Sequence, residues 1–176
     1  TFFLFLVQVI TGVILTIYYV PSVEKAYASV YYISNFVNYG WLVRSIHYWS
    51  ANLMVIFVFM HLLRVFITGS YKPPRELNWV AGMVLFGVTL GFSLTGYLLP
   101  WDQKAFWAST VTVSLAKKVP FAGETLHSIL VGGEAIGQPT LTRFFSFHVM
   151  IFPFLLILFV VAHFWMIRRQ GISKPL

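Results

Sequence analysis

The sequence predicts an all-α membrane protein, in which four transmembrane helices form one haem-binding bundle and amphipathic helices lie on its surface. Of the 176 residues, 59% are hydrophobic and 10% are charged, whereas a soluble domain carries about 25% charged residues. A helix of roughly 20 residues crosses a ~30 Å hydrocarbon layer. Four segments of about this length contain no Asp, Glu, Lys or Arg: residues 1–20, 45–63, 78–101 and 144–167.

The segments between these stretches define the individual elements of a single domain, residues 1–176. Pro21 ends the first span, and because the chain opens within apolar sequence, we expect this span to be incomplete at its start. Residues 22–40 predict an amphipathic surface helix that ends at Gly40. Residues 102–138 predict one or two more surface helices, and Thr140 is expected to cap the fourth span. The predicted spans are 1–20, 41–68, 77–100 and 140–169.

Composition excludes several classes of function. The chain contains no cysteine, which excludes thiolate metal sites, iron–sulfur clusters held by this chain, and haem attached through a thioether. A net charge of +7 does not indicate a nucleic-acid partner here, because the chain is embedded in a lipid membrane. Basic residues crowd the short segment 68–77 and the C-terminus, so the positive-inside rule places both on the cytoplasmic, negative side.

Four histidines in two spans form the central pattern. His47 and His61 are 14 positions apart, and His148 and His163 are 15 apart. On a regular helix, His47 and His61 share one face and lie about 21 Å apart. His148 and His163 lie about 22 Å apart, on faces that differ by about 60°. We expect helix curvature and crossing to absorb this difference. The two spans run parallel, so His47 faces His148 and His61 faces His163. Two imidazoles fill the axial positions of a haem iron, and the pattern therefore predicts two non-covalent b-type haems.

Three glycines fit this prediction. Gly82 and Gly96 in the third span are again 14 apart, and Gly12 lies in the first span. A macrocycle inside a bundle needs positions that lack a side chain, so we expect these glycines to pack against haem. Glycine is also common at helix interfaces in membranes, which is the alternative explanation.

Three arginines lie close to the histidines in sequence. They are candidates for the haem propionates, because carboxylates near the membrane faces need neutralising charges. The alternative is that they extend to the membrane interface. His127, in the polar segment, is expected to be a surface residue. The propionate candidates are Arg44, Arg64 and Arg143.

Five motifs carry a family resemblance: RSIHYWSANLMVIFVFMHLLRVFITG, KPPRELNWVAG, TGYLLPWDQ, TLTRFFSFH and IRRQGIS. They resemble cytochrome b of quinol-oxidising complexes over essentially the whole chain. The 15-residue histidine spacing and the ending GISKPL favour the short split form, found in cytochrome b6f complexes and related menaquinol reductases, over the long mitochondrial type.

The resemblance implies a subunit of a quinol:electron-acceptor oxidoreductase that is not active alone. It would pass an electron from quinol on the positive side, through the two haems, to quinone on the negative side, coupled to proton translocation. The implied partners are a three-span subunit with a Pro-Glu-Trp-Tyr motif, a Rieske iron–sulfur protein and a c-type cytochrome, in a homodimeric complex. Candidates for the quinone sites are Tyr97, Pro100, Trp101, Asp102 and Arg168.

Two departures from the family pattern indicate a bacterial cytoplasmic membrane rather than a thylakoid. Leu4 stands where split-form members commonly have the cysteine that attaches a third haem, so no third covalent haem is expected. Tyr48 stands where plant-type members often have arginine. Two other functions remain open: a di-haem anchor that links quinone to a dehydrogenase or hydrogenase without bifurcation, and a transporter or structural subunit. The TGYLLPWDQ segment favours the bifurcating complex.

Overall fold

The computed structural model describes residues 1–171, and within this range all regular structure is helical. A π-helical turn, Phe147–Ile151, joins the last two helices. The final residues of the GISKPL segment, 172–176, lie outside the described residues. The helices are α1 (Phe2–Thr16), α2 (Ala26–Asn35), α3 (Gly40–Ile67), α4 (Glu76–Leu98), α5 (Gln103–Lys117), α6 (Gly123–Val131), α7 (Gln138–Ser146) and α8 (Phe152–Gln170).

Three helices in residues 1–171 are long and apolar enough to cross a membrane. They are α3 with 28 residues, α4 with 23, and the continuous helix Gln138–Gln170 with 33. The predicted count of four spans is therefore not exact: α1 is apolar but has 15 residues, fewer than the roughly 20 that a hydrocarbon layer requires. It ends at Thr16, before the predicted Tyr–Tyr–Val–Pro stop.

Two predicted helix boundaries also differ from the structure. Gly40 does not end the surface helix: α2 ends at Asn35, and Gly40 is the first residue of α3. Thr140 is the third residue of its helix rather than its cap. Its hydroxyl donates to the carbonyl of Val131 (2.7 Å) and accepts from the N–H of Gly137 (3.1 Å). Thr140 thereby ties the start of α7 to the end of α6.

The centre of the bundle is an apolar cluster formed by Met54, Val88 and Leu156. Phe5 of α1 packs against it, so all four long elements meet there. Met54 lies midway in sequence between the two histidines of α3, which places the cluster halfway between the two histidine levels.

A second cluster fastens the surface helices to one end of the bundle. Leu98 at the end of α4 and Phe144 of α7 pack with Val113 of α5 and Val131 of α6. All four are at most 3% exposed. The 103–131 excursion is therefore fixed against the end of the bundle that carries His148.

The outer surface of the long helices is apolar. Trp41, Trp49 and Phe66 are 57%, 64% and 59% exposed, and lie toward the two ends of α3. Aromatic side chains are enriched where a helix meets the membrane interface. The exposed apolar side chains are those expected of helices surrounded by lipid.

Candidate functional site: two histidine pairs

The four histidines meet in two pairs, one toward each end of the bundle. The ring centroids of His47 and His148 are 6.3 Å apart with an interplanar angle of 70°. Those of His61 and His163 are 6.4 Å apart at 78°. Each pair joins α3 to the α7–α8 helix. Along α3 the two levels are separated by 14 residues, or about 21 Å of helix.

The π-turn explains how unequal spacings produce matched pairs. His148 lies within Phe147–Ile151, where the helix holds one more residue than a regular α-helix would. The longer spacing from His148 to His163 therefore advances the helix face by the same amount as the shorter spacing in α3. Curvature and crossing are not what removes the offset of about 60° expected for a regular helix. The local insertion removes it.

Both centroid distances suit a metal ion held between two imidazoles. A metal–nitrogen bond of about 2.0–2.1 Å, added to about 1.1 Å from the nitrogen to its ring centre, gives about 6.3 Å across two opposed rings. A direct N–H···N hydrogen bond of about 2.9 Å would bring the centroids to about 5.1 Å. Among residues 1–171, no group of three or more His, Cys, Asp or Glu side chains could hold a metal.

At the level of His47 and His148, hydrogen bonds at one ring nitrogen leave the other nitrogen of each ring free to bind a metal. Thr11 Oγ lies 2.8 Å from His47 Nδ1, and Thr95 Oγ lies 3.1 Å from His148 Nδ1. Each hydroxyl has a single proton, which it donates to a carbonyl of its own helix, that of Val7 (2.6 Å) or Gly91 (2.8 Å). The hydroxyl can then only accept from the ring, so Nδ1 carries the proton and Nε2 keeps its lone pair. This is the tautomer of a metal-ligating histidine.

The other level is built differently. His163 Nδ1 is buried without a hydrogen-bond partner among the described residues. His61 is exposed on the surface of the chain. Neither ring of this pair meets a threonine hydroxyl within the part of the chain that the structure describes.

Each predicted glycine lies against one of the predicted ligands. Because glycine has no side chain, the imidazole ring can approach the backbone of α1 or α4 at each of these positions. That the glycines also leave space for haem stays a prediction. A Cβ atom at Gly96 would meet His148 Cε1 at 2.7 Å, one at Gly12 would meet His47 Cε1 at 3.3 Å, and one at Gly82 would meet His163 Cε1 at 3.7 Å.

Two of the three predicted arginines hydrogen-bond to the protein. Arg44 Nη1 donates to Ser34 Oγ of α2 (3.1 Å). Arg143 Nη1 donates to the carbonyls of residues 128 and 129 (2.8 and 2.6 Å) at the end of α6. Arg64 is exposed near the end of α3. A guanidinium has five donors, so these contacts leave capacity for propionates, and that assignment stays a prediction.

The quinone-site candidates lie at opposite ends of the bundle. Tyr97 is exposed near the end of α4, and Pro100 and Trp101 form the turn into α5. Trp101 has a positive φ of 51°. Asp102 caps α5, accepting a 2.8 Å hydrogen bond from the N–H three residues on. Arg168 is exposed in the last turn of α8.

Several polar contacts to the histidines were not expected from the sequence. Thr11 and Thr95 are the clearest, and each immediately precedes one of the predicted glycines, so the repeated Thr–Gly dipeptide was an available signal. Gln8 Nε2 donates to the carbonyl of His47 (2.7 Å) and to the Ser50 hydroxyl. No sequence spacing indicates that contact.

Known proteins match the chain over nearly all its length. Residues 1–171 match the family model described as cytochrome b/b6/petB. The chain is 50% identical over 172 residues to cytochrome b6 of Crocosphaera subtropica, covering 98% of this chain and 78% of the relative. It is 49% identical over 176 residues to cytochrome b6 of Tupiella akineta, covering 100% and 82%.

A solved structure agrees with these matches. A chain of a hyperthermophilic respiratory complex III superposes with a TM-score of 0.90 at 34% identity, covering 99% of this chain. The match covers 47% of that chain, so the present chain spans about half its length. With the sequence matches and the paired histidines, this likeness shows that the chain belongs to the cytochrome b family.

Proposed function

We propose that the two histidine pairs ligate two b-type haems and that the chain is the di-haem subunit of a quinol–cytochrome c or quinol–plastocyanin reductase type complex. The family implies two non-covalent b haems. His47 with His148 would hold one, and His61 with His163 the other. Bound there, the haems would supply one-electron transfer, linking quinol oxidation on the positive side to quinone reduction on the negative side.

The observation that carries this proposal is the pair of centroid distances, 6.3 and 6.4 Å. They match two imidazoles on opposite sides of one metal ion and exceed the separation of hydrogen-bonded imidazoles. The Nδ1 contacts of His47 and His148 support it independently, because they leave Nε2 free. A purely structural histidine does not require both features.

The remaining parts of the proposal concern the assembly. The TGYLLPWDQ segment and Arg168 lie at opposite ends of the bundle, which suits one quinone site on each side. The subunit would act, coupled to proton translocation, with the three-span subunit, the Rieske protein and the c-type cytochrome in a homodimeric complex. We place the complex in a bacterial cytoplasmic membrane, with residues 1–176 as one domain.

The proposal is tested by counting haem in the purified complex. A pyridine haemochrome assay should give two b haems per chain, and His61→Ala should leave about one. The matched control is His127→Ala on α6, which lies outside both pairs and should retain two.

The outcomes separate the alternatives. A preparation without b haem, or a His61→Ala variant that keeps two, contradicts the ligand assignment. A Rieske protein that co-purifies supports the bifurcating complex, whereas its consistent absence from an intact, haem-loaded preparation favours a di-haem anchor.

A further inference from the structure

We infer that Thr11 and Thr95 are positioning residues that lower the reduction potential of the haem held by His47 and His148. The inference rests on the proposed function, since it needs haem at that level.

The geometry at the two threonines is the same although they lie on different helices. Each donates its only proton backwards along its own helix, Thr11 to Val7 and Thr95 to Gly91. Each hydroxyl oxygen then receives Nδ1–H of the histidine opposite, at 2.8 Å from His47 and 3.1 Å from His148. Both rings of one haem site are thus oriented by the same arrangement, a threonine followed by glycine.

Burial makes these contacts strong. Thr11 is 7% exposed and Thr95 is 5% exposed, so little water competes for the ring N–H at either site. A hydrogen bond in such a low-dielectric setting is stronger electrostatically than one in water. Each hydroxyl is also polarised by the carbonyl that accepts its proton, which improves it as an acceptor.

An acceptor at Nδ1 changes the iron through the ligand. It makes the imidazole more basic, and outer contacts of this kind change metal affinity by about 10- to 100-fold. A more basic ligand favours the more highly charged ferric ion over the ferrous ion, so the potential falls. Among residues 1–171, the level of His61 and His163 lacks this hydroxyl pair, and His163 Nδ1 is buried there without a hydrogen-bond partner.

The direction fits the order of electron transfer in the proposed function. An electron that enters at the level of His47 and His148 moves toward the other level only if the second site is the better acceptor. The two hydroxyl acceptors lower the reduction potential at the level of His47 and His148, which makes the other level the better electron acceptor. The difference arises from neighbouring side chains, since the ligands at both levels are histidines.

The test is a redox titration of the purified complex carrying Thr95→Val or Thr11→Val. Valine keeps the shape and removes the hydroxyl. We expect each substitution to weaken the preference for ferric iron about tenfold, which raises the potential of one haem by about 59 mV and leaves the other unchanged. The electron paramagnetic resonance signal of the same haem should shift, because the ring is no longer fixed in orientation.

The controls use similar threonines. Thr89→Val removes an equally buried hydroxyl on α4 that bonds only to its own helix, and it should shift neither haem. Thr95→Ser and Thr11→Ser keep the hydroxyl and should retain the wild-type potential.

Each outcome decides the inference. Valine variants that keep two haems at unchanged potentials overturn it while leaving the proposed function intact, whereas a wild-type complex without b haem overturns the proposed function itself. If the valine variants lose the haem, retention in the serine variants supports the positioning role. Loss in the serine variants as well overturns it.

Discussion

Deletion of Met150 should leave both histidine pairs intact, because the π-turn that contains it holds one residue more than an α-helix requires. Met150 is 69% exposed, so its removal costs little packing. Without it, the segment Phe147–Ile151 can close into regular α-helix. His148 and His163 would then keep the relative orientation that the two histidines of α3 have.

The magnitude follows from helix geometry. An α-helix turns about 100° per residue, so 14 residues end about 40° short of four full turns. That is the relation of His47 to His61, and the π-turn gives the other helix the same relation. Removing one residue from α3 would instead reduce the spacing of its two histidines to 13 positions. One histidine would then rotate by a further 100° or so about the helix axis, and the distance between the two along the axis would shorten by about 1.5 Å.

The matched comparison is therefore deletion of Ile56, a 53% exposed residue of α3 between its two histidines. We expect two b haems per chain after deletion of Met150 and about one or fewer after deletion of Ile56, measured by pyridine haemochrome and normalised to protein in the membrane. If deletion of Met150 loses haem as readily as deletion of Ile56, the π-turn does not set the register and the reasoning is refuted.

Two further predictions follow from the same sites. Gly96→Ala should displace the ring of His148 and lose or shift that haem, because the new Cβ would lie 2.7 Å from Cε1. Gly87→Ala on the same helix, where a Cβ would meet no atom within 4 Å, should keep both haems in an optical spectrum. Equal effects of the two substitutions would contradict the close contact. Asp102→Ala should destabilise the complex by about 1 kcal/mol through loss of a helix cap, with Asp102→Asn nearly neutral in thermal melting and two haems retained in both; loss of haem would show that Asp102 acts on the site directly.

The long apolar elements and the histidine pattern could be predicted from the sequence. Hydropathy over a window of about 20 residues identifies α3, α4 and the α7–α8 helix, because each must satisfy its backbone within one continuous helix. Spacing on parallel helices also indicates the two histidine pairs. Both predictions depend on periodicity, which the sequence displays directly.

Other features could not be predicted, because they depend on local backbone choices. The extra residue between His148 and His163 could be absorbed by curvature or by a π-turn, and spacing alone does not distinguish them. The position of Arg143 near a ligand suggests a propionate contact, but its hydrogen bonds to α6 emerge only once the surface helices are folded.

The position of the π-turn follows from what packs in the middle of the bundle. Met54, Val88 and Leu156 form a buried cluster halfway between the histidine levels, and an inserted residue there would misalign side chains that are close-packed. At the level of His148 the insertion disturbs less packing, since the turn contains no buried residue. The same level carries the two threonine hydroxyls and the closest approach of a glycine to a histidine ring. These contacts are concentrated at one of the two histidine pairs, and we therefore expect the two proposed haem sites to differ in reduction potential although both have a pair of histidines as ligands.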